Sequence, residues 1–377
     1  MKSPSVLHVI GQFTVGGAEK QLARAASLQA TGGRRVSICV LDGELSPSLV
    51  RRARPCPVIK LESGRGRLAR ARALDDLLRA GGWELAAGQL FSGNLYAVWA
   101  ARWAGVPAVV FEGGLETWSR PWHWAVCRWY WRRSELIEVN AAAVGDNVRS
   151  HGGEPTKLRL IYNGIEAPPD LSPAERRKAR RELGLNDEHL VVMLANLHPP
   201  KDPFTLIRAV GGLSTSRGPA SLILAGDGPQ RGRVEELIEE LDLEDRVRLV
   251  GRLDDVRPLL AAADAACLSS RAEGLSNAVI EALASGVPCA ATRAGGNAEL
   301  LGDGARGALF EPGDVAGCRE ALRSLLDDGE NARHRAEQAR RWVLEELSFE
   351  RNIQRRDRLY AEALERWRSR NPGRGSR

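Results

Sequence analysis

Short apolar runs alternate along the chain with longer stretches in which apolar residues return every three to four positions. The short runs predict strands over residues 5–10, 36–41, 108–111, 158–161, 190–194, 221–225, 247–250, 265–268 and 288–292. The longer ones predict helices, among them 18–29, 68–80, 203–210, 232–241 and 278–284. Regular strand–helix alternation implies parallel sheets covered by helices, because parallel neighbours need a crossover between them. Around residues 162–175 the text becomes YNGIEAPPDLSPAE, with adjacent prolines and turn formers, and a new alternation starts at Leu190. This divides the chain into domains over 1–166 and 167–348, each large enough for its own core. Residues 349–377 open as a helix with Ile353, Tyr360, Leu364 and Trp367 at steps of seven, four and three, an apolar stripe that needs a partner surface. The end, SRNPGRGSR, has no apolar content to bury and reads as a disordered basic tail.

Composition adds exclusions. Of the 377 residues 43% are hydrophobic and 27% charged, a globular balance that excludes a disordered chain. The cysteines at 39, 56, 127, 267, 289 and 318 lie far apart without CxxC or Cys/His spacing, so neither a disulfide framework nor a structural zinc site is expected. A reducing cytoplasm fits this usage. The longest uncharged run, 85–101, is broken by Gly88, Gln89, Ser92, Gly93 and Asn94, which argues against a spanning helix. The apolar segment near the N-terminus is too short for a signal peptide. The net charge of +6 splits into +8 over 1–166, −8 over 167–350 and +6 over 351–377. A basic first half suits a membrane surface or an anionic acceptor; no stacking motif, zinc module or recognition helix supports nucleic acid.

Two segments could carry chemistry. In His8-Val-Ile-Gly-Gln-Phe-Thr-Val-Gly16-Gly17-Ala-Glu19 a strand runs through a loop into a helix. Adjacent glycines there either let backbone N–H groups approach a phosphate at a helix N-terminus or simply make a tight turn. In Ser270-Arg-Ala-Glu273-Gly274-Leu275-Ser276-Asn277-Ala-Val-Ile-Glu281, Glu273 follows a predicted strand and Glu281 lies one to two turns into the next helix. Both carboxylates can face the crevice at the carboxyl ends of the strands and accept paired hydrogen bonds from vicinal hydroxyls. Amides of Gly274, Leu275, Ser276 and Asn277, at a helix start, suit a phosphate. The plain alternative is two solvated glutamates flanking a helix.

The surrounding text resembles the E-x7-E motif of retaining glycosyltransferases with the GT-B fold, specifically family 4. Further matches follow in the family's order: Gly16-Gly17-Ala18-Glu19, Ile161-Tyr162-Asn163-Gly164-Ile165, Lys201-Asp202-Pro203, Ala225-Gly226-Asp227-Gly228-Pro229, Gly295-Gly296-Asn297-Ala298-Glu299 and Phe310-Glu311-Pro312-Gly313-Asp314. The resemblance implies an α/β fold of two Rossmann-like, doubly wound parallel-sheet domains facing across a cleft, the C-terminal helix packing back on the first. It implies that Glu281 holds ribose hydroxyls, that Glu273 contacts the transferred hexose, and that Lys201 neutralises the diphosphate, which Gly16 and Gly17 reach from the other lobe. Glu273 and Lys201 are then the catalytic pair. Asn196, His198 and Gly226 join the donor site, and a nucleotide diphosphate sugar is a co-substrate used without cofactor or metal ion. No DxD spacing is present.

Three departures from the family text concern the acceptor side and one diphosphate contact. Where many members read Gly-Arg-Leu before the lysine, this chain has Ala195-Asn196-Leu197, with His198 as a partial substitute for the arginine. The usual histidines of the first lobe are absent from Gly88-Gln89-Leu90-Phe91 and from Phe111-Glu112-Gly113, leaving Glu112, Asn94 and Trp118 as acceptor-side candidates. The stretch 118–133 holds five of the ten tryptophans beside arginines, which reads either as an interfacial segment for an anionic membrane or as a helix with tryptophans in the core. The expected activity is hexosyl transfer from a UDP-sugar, or next a GDP-sugar, to a glycan or polyprenyl-linked acceptor in bacterial envelope polysaccharide synthesis, peripheral on the inner face of the membrane. The alternative is a GT-B protein acting as an epimerase or a regulatory nucleotide-sugar binder.

Overall fold

The computed structural model describes residues 4–14, 16–64, 66–115, 120–170 and 172–372. They form two compact units, one made of residues 1–164 with 349–377 and the other of 165–348. The first unit alternates β1 (Val6–Ile10), α1 (Gly17–Thr31), β2 (Val36–Val40), α2 (Pro47–Ala53), β3 (Val58–Lys60), α3 (Arg67–Ala80), β4 (Leu85–Gln89), α4 (Leu90–Ala104), β5 (Ala108–Glu112), α5 (Pro121–Arg133), β6 (Leu136–Val139), α6 (Ala142–Ser150) and β7 (Leu158–Leu160). Among the described residues these strands make one parallel sheet in the order β3-β2-β1-β4-β5-β6-β7. Its inner strands are buried along their whole length, as helices on both faces require, while the edge strands β3 and β7 are partly exposed.

The second unit carries α7 (Pro173–Glu182), β8 (Leu190–Leu194), α8 (Pro203–Gly211), a small hairpin of β9 (Ser214–Thr215) and β10 (Gly218–Pro219), β11 (Ser221–Ala225), α9 (Arg231–Glu240), β12 (Val247–Gly251), α10 (Arg257–Ala262), β13 (Ala265–Leu268), α11 (Asn277–Ala284), β14 (Cys289–Thr292), α12 (Asn297–Leu300), β15 (Ala308–Phe310), α13 (Val315–Asp327) and α14 (Gly329–Glu346). Its parallel sheet runs β12-β11-β8-β13-β14-β15. Helix starts follow local chemistry. Ser172 and Glu175 form a capping box at α7, Ser276 caps α11 and Asp314 caps α13. Among the described residues no helix is long and apolar enough to cross a membrane.

The strands at 58–60, 85–89, 136–139 and 308–310 escape the hydrophobic pattern. Three of them have only three or four residues, and Leu85–Gln89 has three small residues and passes straight into α4. The uncharged run over 85–101 is therefore a strand and a helix joined at Leu90, whose φ of 59° turns the chain at once. The tryptophan-rich stretch is divided in the same way. On α5, Tyr130 and Trp131 are buried, whereas Trp122 is 50% exposed. Residues 373–377 of the basic tail, like Trp118, lie outside the described residues.

The last helix, α15 (Phe349–Arg370), belongs to the first unit. Leu359, Tyr360 and Ala363 enter one core with Val6, Ile10, Leu22 and Ile38. The buried stripe is Asn352, Ile353, Arg356, Leu359, Tyr360 and Ala363, so it drifts from the predicted one, and Leu364 and Trp367 are only half-buried. The drift is explained by Arg356, which is buried because its Nε and Nη2 donate to Glu138 Oε1 on β6 at 2.9 and 2.8 Å. Hydropathy alone cannot place a paired arginine in a core.

His8 on β1 is fully buried with its ring edge-on to Tyr360, 6.1 Å between centroids. Burial, reinforced by the Arg356 charge, pushes its pKa down to about 3. The folded state therefore holds a neutral imidazole where the unfolded chain takes up a proton near pH 6.5. Stability is complete above that value and is lost as pH falls towards 3, with a slope of about 1.4 kcal/mol per pH unit. Urea titrations at pH 7.5 and 5.0 should differ by about 2 kcal/mol in the native sequence and by clearly less in His8→Leu. Equal losses in both proteins would remove His8 as the source.

Candidate active site

The strand order of the second sheet reverses between β8 and β13, with β11 and β12 on one side and β14 and β15 on the other. In an open α/β sheet such a reversal opens a crevice at the carboxyl ends of the two strands. The loop after β8 carries Asn196, His198 and Lys201; the loop after β13 carries Ser269 to Ser276.

Lys201 and Glu273 meet there. Lys201 Nζ donates to Glu273 Oε1 at 2.5 Å, and Ser270 Oγ donates to the same oxygen at 2.6 Å. The glutamate side chain is 7% exposed and the lysine 28%, so the carboxylate is built into the wall while the ammonium reaches the surface. One of the three ammonium donors is directed at the carboxylate, which leaves two for an incoming anion.

The surrounding residues hold this pair in place. Asp202, next to Lys201, sits in the left-handed region at φ 43°, which aspartate tolerates better than most residues. Its buried carboxylate accepts from Thr205 Oγ1 at 2.8 Å and lies 3.0 Å from Arg271 Nε. Ser269 Oγ donates to Asp202 O at 2.7 Å and the Arg271 N–H to Pro200 O at 2.7 Å, so the two loops are stitched together. From the next strand Thr292 Oγ1 donates to Ser270 O at 2.6 Å. Gly295 has φ 54°, and a Cβ on it would stand 1.8 Å from Glu273 O, so only glycine lets this turn lie under the glutamate. The Gly296 N–H then donates to Gly274 O at 2.7 Å.

The other donor-side candidates distribute around this crevice. Asn196 and His198 are exposed on either side of buried Leu197. Gly226, at φ 152°, lies so close beneath that loop that a Cβ would approach Ala195 O to 1.8 Å. Leu275 and Ser276 are buried, Gly274 and Asn277 half-buried, and Ser276 Oγ accepts from the Val279 N–H at 3.3 Å to start α11. Glu281 is half-buried in the second turn of that helix. In the first unit Gly16 is the N-cap of α1 and Gly17 its first residue; both have ordinary extended or helical backbones. Burial raises the pKa of Glu19 in the same turn.

Two acceptor-side candidates face inward. Glu112 is 5% exposed, and its Oε1 accepts from Tyr130 OH at 2.8 Å, Trp131 Nε1 at 2.9 Å and Asn94 Nδ2 at 3.2 Å. Asn94, wholly buried, also donates to Phe111 O and accepts from the Phe111 N–H. They tie α4 and α5 to β5. That role has a physical logic, since a buried carboxylate needs several donors. Trp118, the third, falls outside the described residues. Sequence reasoning missed Asp202, Ser269, Ser270 and Arg271, whose signal is faint: two serines at a strand end and an aspartate after the lysine.

Residues 16–164 match the family model described as glycosyl transferase 4-like domain, and residues 175–342 match the one described as glycosyl transferases group 1. The chain belongs to the family 4 glycosyltransferases. Among members of the family it is 32% identical over 213 residues to N-acetyl-alpha-D-glucosaminyl L-malate synthase of Bacillus anthracis, covering 56% of this chain and 55% of that protein. It is 29% identical over 221 residues to the lipopolysaccharide core biosynthesis glycosyltransferase LpsE of Rhizobium meliloti (strain 1021), covering 59% and 62%. The matches thus span little more than half of these relatives. Over nearly its full length the chain is similar in fold to Anabaena Alr3699/HepE, solved in complex with UDP-glucose, with a TM-score of 0.85 at 23% identity, covering 96% of this chain and 99% of that one. The two parallel-sheet units have the GT-B fold.

Proposed function

We propose that this family 4 protein transfers a hexose from a nucleotide diphosphate sugar, with retention and without a metal ion, to a glycan or lipid-linked acceptor of the cell envelope. The observation that carries the reading is the Lys201–Glu273 pair at the reversal of the second sheet. Cleaving the sugar from its diphosphate builds negative charge on the leaving group, and a preplaced ammonium lowers that barrier. In this reading Lys201 binds the diphosphate, helped by the amides of Gly274 to Asn277, with Asn196 and His198 beside it and Gly226 shaping the loop. Glu273 faces the hexose and Glu281 holds the ribose hydroxyls. A UDP-sugar is favoured because HepE was solved with UDP and with UDP-glucose. The envelope role follows LpsE, and exposed Arg132 and Arg133 at the end of α5, with Arg133 over Trp129, favour a place at the inner face of the membrane.

A thermal-shift screen with UDP, GDP, ADP and their glucose or mannose conjugates tests the donor. One nucleotide should raise stability by about 2.7 kcal/mol at a hundredfold excess over its Kd. Turnover of the matching sugar should survive EDTA. No response to any nucleotide overturns the donor assignment, and loss of turnover in EDTA overturns metal independence.

A further inference from the structure

The first sheet has its own reversal, between β1 and β4, with β2 and β3 on one side and β5 to β7 on the other. The same rule that places Lys201 and Glu273 predicts a ligand crevice there. The carboxyl end of β1 continues into Gly11 and Gln12, and that of β4 into Leu90, Phe91 and Ser92. A Cβ on Gly11 would stand 3.0 Å from Ser92 Cβ, so the loop after β1 touches the first turn of α4. Leu90, at φ 59°, holds a backbone conformation that is costly for a leucine and common at functional turns. By turning there the chain lifts Phe91 and exposed Ser92 to the rim.

An aromatic group stands on that rim. Phe91 meets Trp122, His123 and Tyr130 edge-on, at centroid distances of 6.3, 5.5 and 6.3 Å. Trp122 leans on the His123 ring at 3.7 Å and 31°, yet keeps half of its surface in solvent. A large indole oriented by two other rings and left open on one face is a preformed platform, so ordering it costs little on binding. Ser92, next to Phe91 in the chain, and Arg120, two residues before Trp122, are exposed and polar. One open ring bordered by polar groups fits one ring of a ligand; an acyl or polyprenyl chain needs a contiguous apolar strip.

We propose that Phe91, Ser92, Trp122 and His123 form a saccharide subsite for the acceptor, in which a pyranose lays its C–H face on the Trp122 indole and Ser92 Oγ hydrogen-bonds a ring hydroxyl. The proposal rests on the transferase reading for the word acceptor, while the subsite itself is a binding claim. It replaces the inward-facing Glu112 and Asn94 as the acceptor contact. Saturation-transfer NMR on the full chain with the methyl α-glycosides of glucose, galactose and mannose tests it. At least one glycoside should receive saturation on its ring C–H protons. That signal should be lost in Trp122→Ala, where affinity falls about tenfold, and largely kept in Trp122→Phe. Both variants should stay folded, with melting temperatures close to the native value, since half of the side chain is already in solvent.

No saturation of any glycoside in the native protein overturns the subsite, and so does equal saturation in Trp122→Ala. Loss of binding to vesicles of anionic phospholipid in Trp122→Ala, with glycoside saturation intact, also overturns it and assigns the indole to a membrane. Glycoside binding that depends on Trp122 in a protein that binds no nucleotide supports the subsite and refutes the transferase reading.

Discussion

Lys201→Ala is expected to lower sugar transfer about 10²-fold, the size of effect seen when one preplaced donor to a developing negative charge is removed. The loss has two parts. The diphosphate loses its cation as the leaving group separates, and the nearly buried Glu273 carboxylate is left with Ser270 as its remaining donor among the bonds described. An unpaired buried carboxylate is costly, so the variant should also melt earlier. Lys201→Ala/Glu273→Gln should recover the stability without the rate, which separates the two parts. Glu281→Ala, at the ribose in the same reading, should lower transfer about tenfold through a weaker donor complex. Initial rates over a range of donor concentrations check all three. Native turnover in both Lys201→Ala and Glu281→Ala would refute the site.

Arg356→Ala should be the most destabilising single change in the first unit. It strands the Glu138 carboxylate, 1% exposed, beneath α15. Breaking a buried pair from one side costs about 3–5 kcal/mol, or about 6 to 20 °C in melting temperature for a unit of this size. Replacing both partners by apolar residues, as in Glu138→Leu/Arg356→Met, should return most of that loss, because neither charge is then left behind. Calorimetry of the two variants decides. If the double variant is as unstable as the single one, packing of α15 rather than the ion pair carries the energy.

The legible parts of this protein are those written in neighbouring residues. The strand runs, the turn-rich boundary and the motif around Glu273 and Glu281 are each contained within a few turns of chain. The contact between Lys201 and Glu273 spans 72 positions and becomes readable only because β8 and β13 are adjacent in the sheet. Asp202 and Arg271 stay hidden, since nothing local pairs an aspartate after a lysine with an arginine in a distant loop. The surroundings of Glu112 are hidden for the same reason. A carboxylate at the end of a strand does not announce that Tyr130 and Trp131, 18 and 19 positions later, donate to it. Trp122 and Trp131 lie on the same helix with opposite fates, and composition counts them alike.

The return of α15 to the first unit also sets an order of events during synthesis. The core around Val6, Ile10 and Ile38 lacks Leu359, Tyr360 and Ala363 until the last helix is made. All of the second unit is translated in between. At ordinary elongation rates the interval is roughly 10 to 40 s. Throughout it, Glu138 has no arginine and the place of Tyr360 stands open to water. The second unit, continuous in sequence, is free to finish first. The first unit thus leaves the ribosome before the second yet closes after it, and a ribosome stalled before Phe349 holds a chain whose second unit is complete and whose first is not.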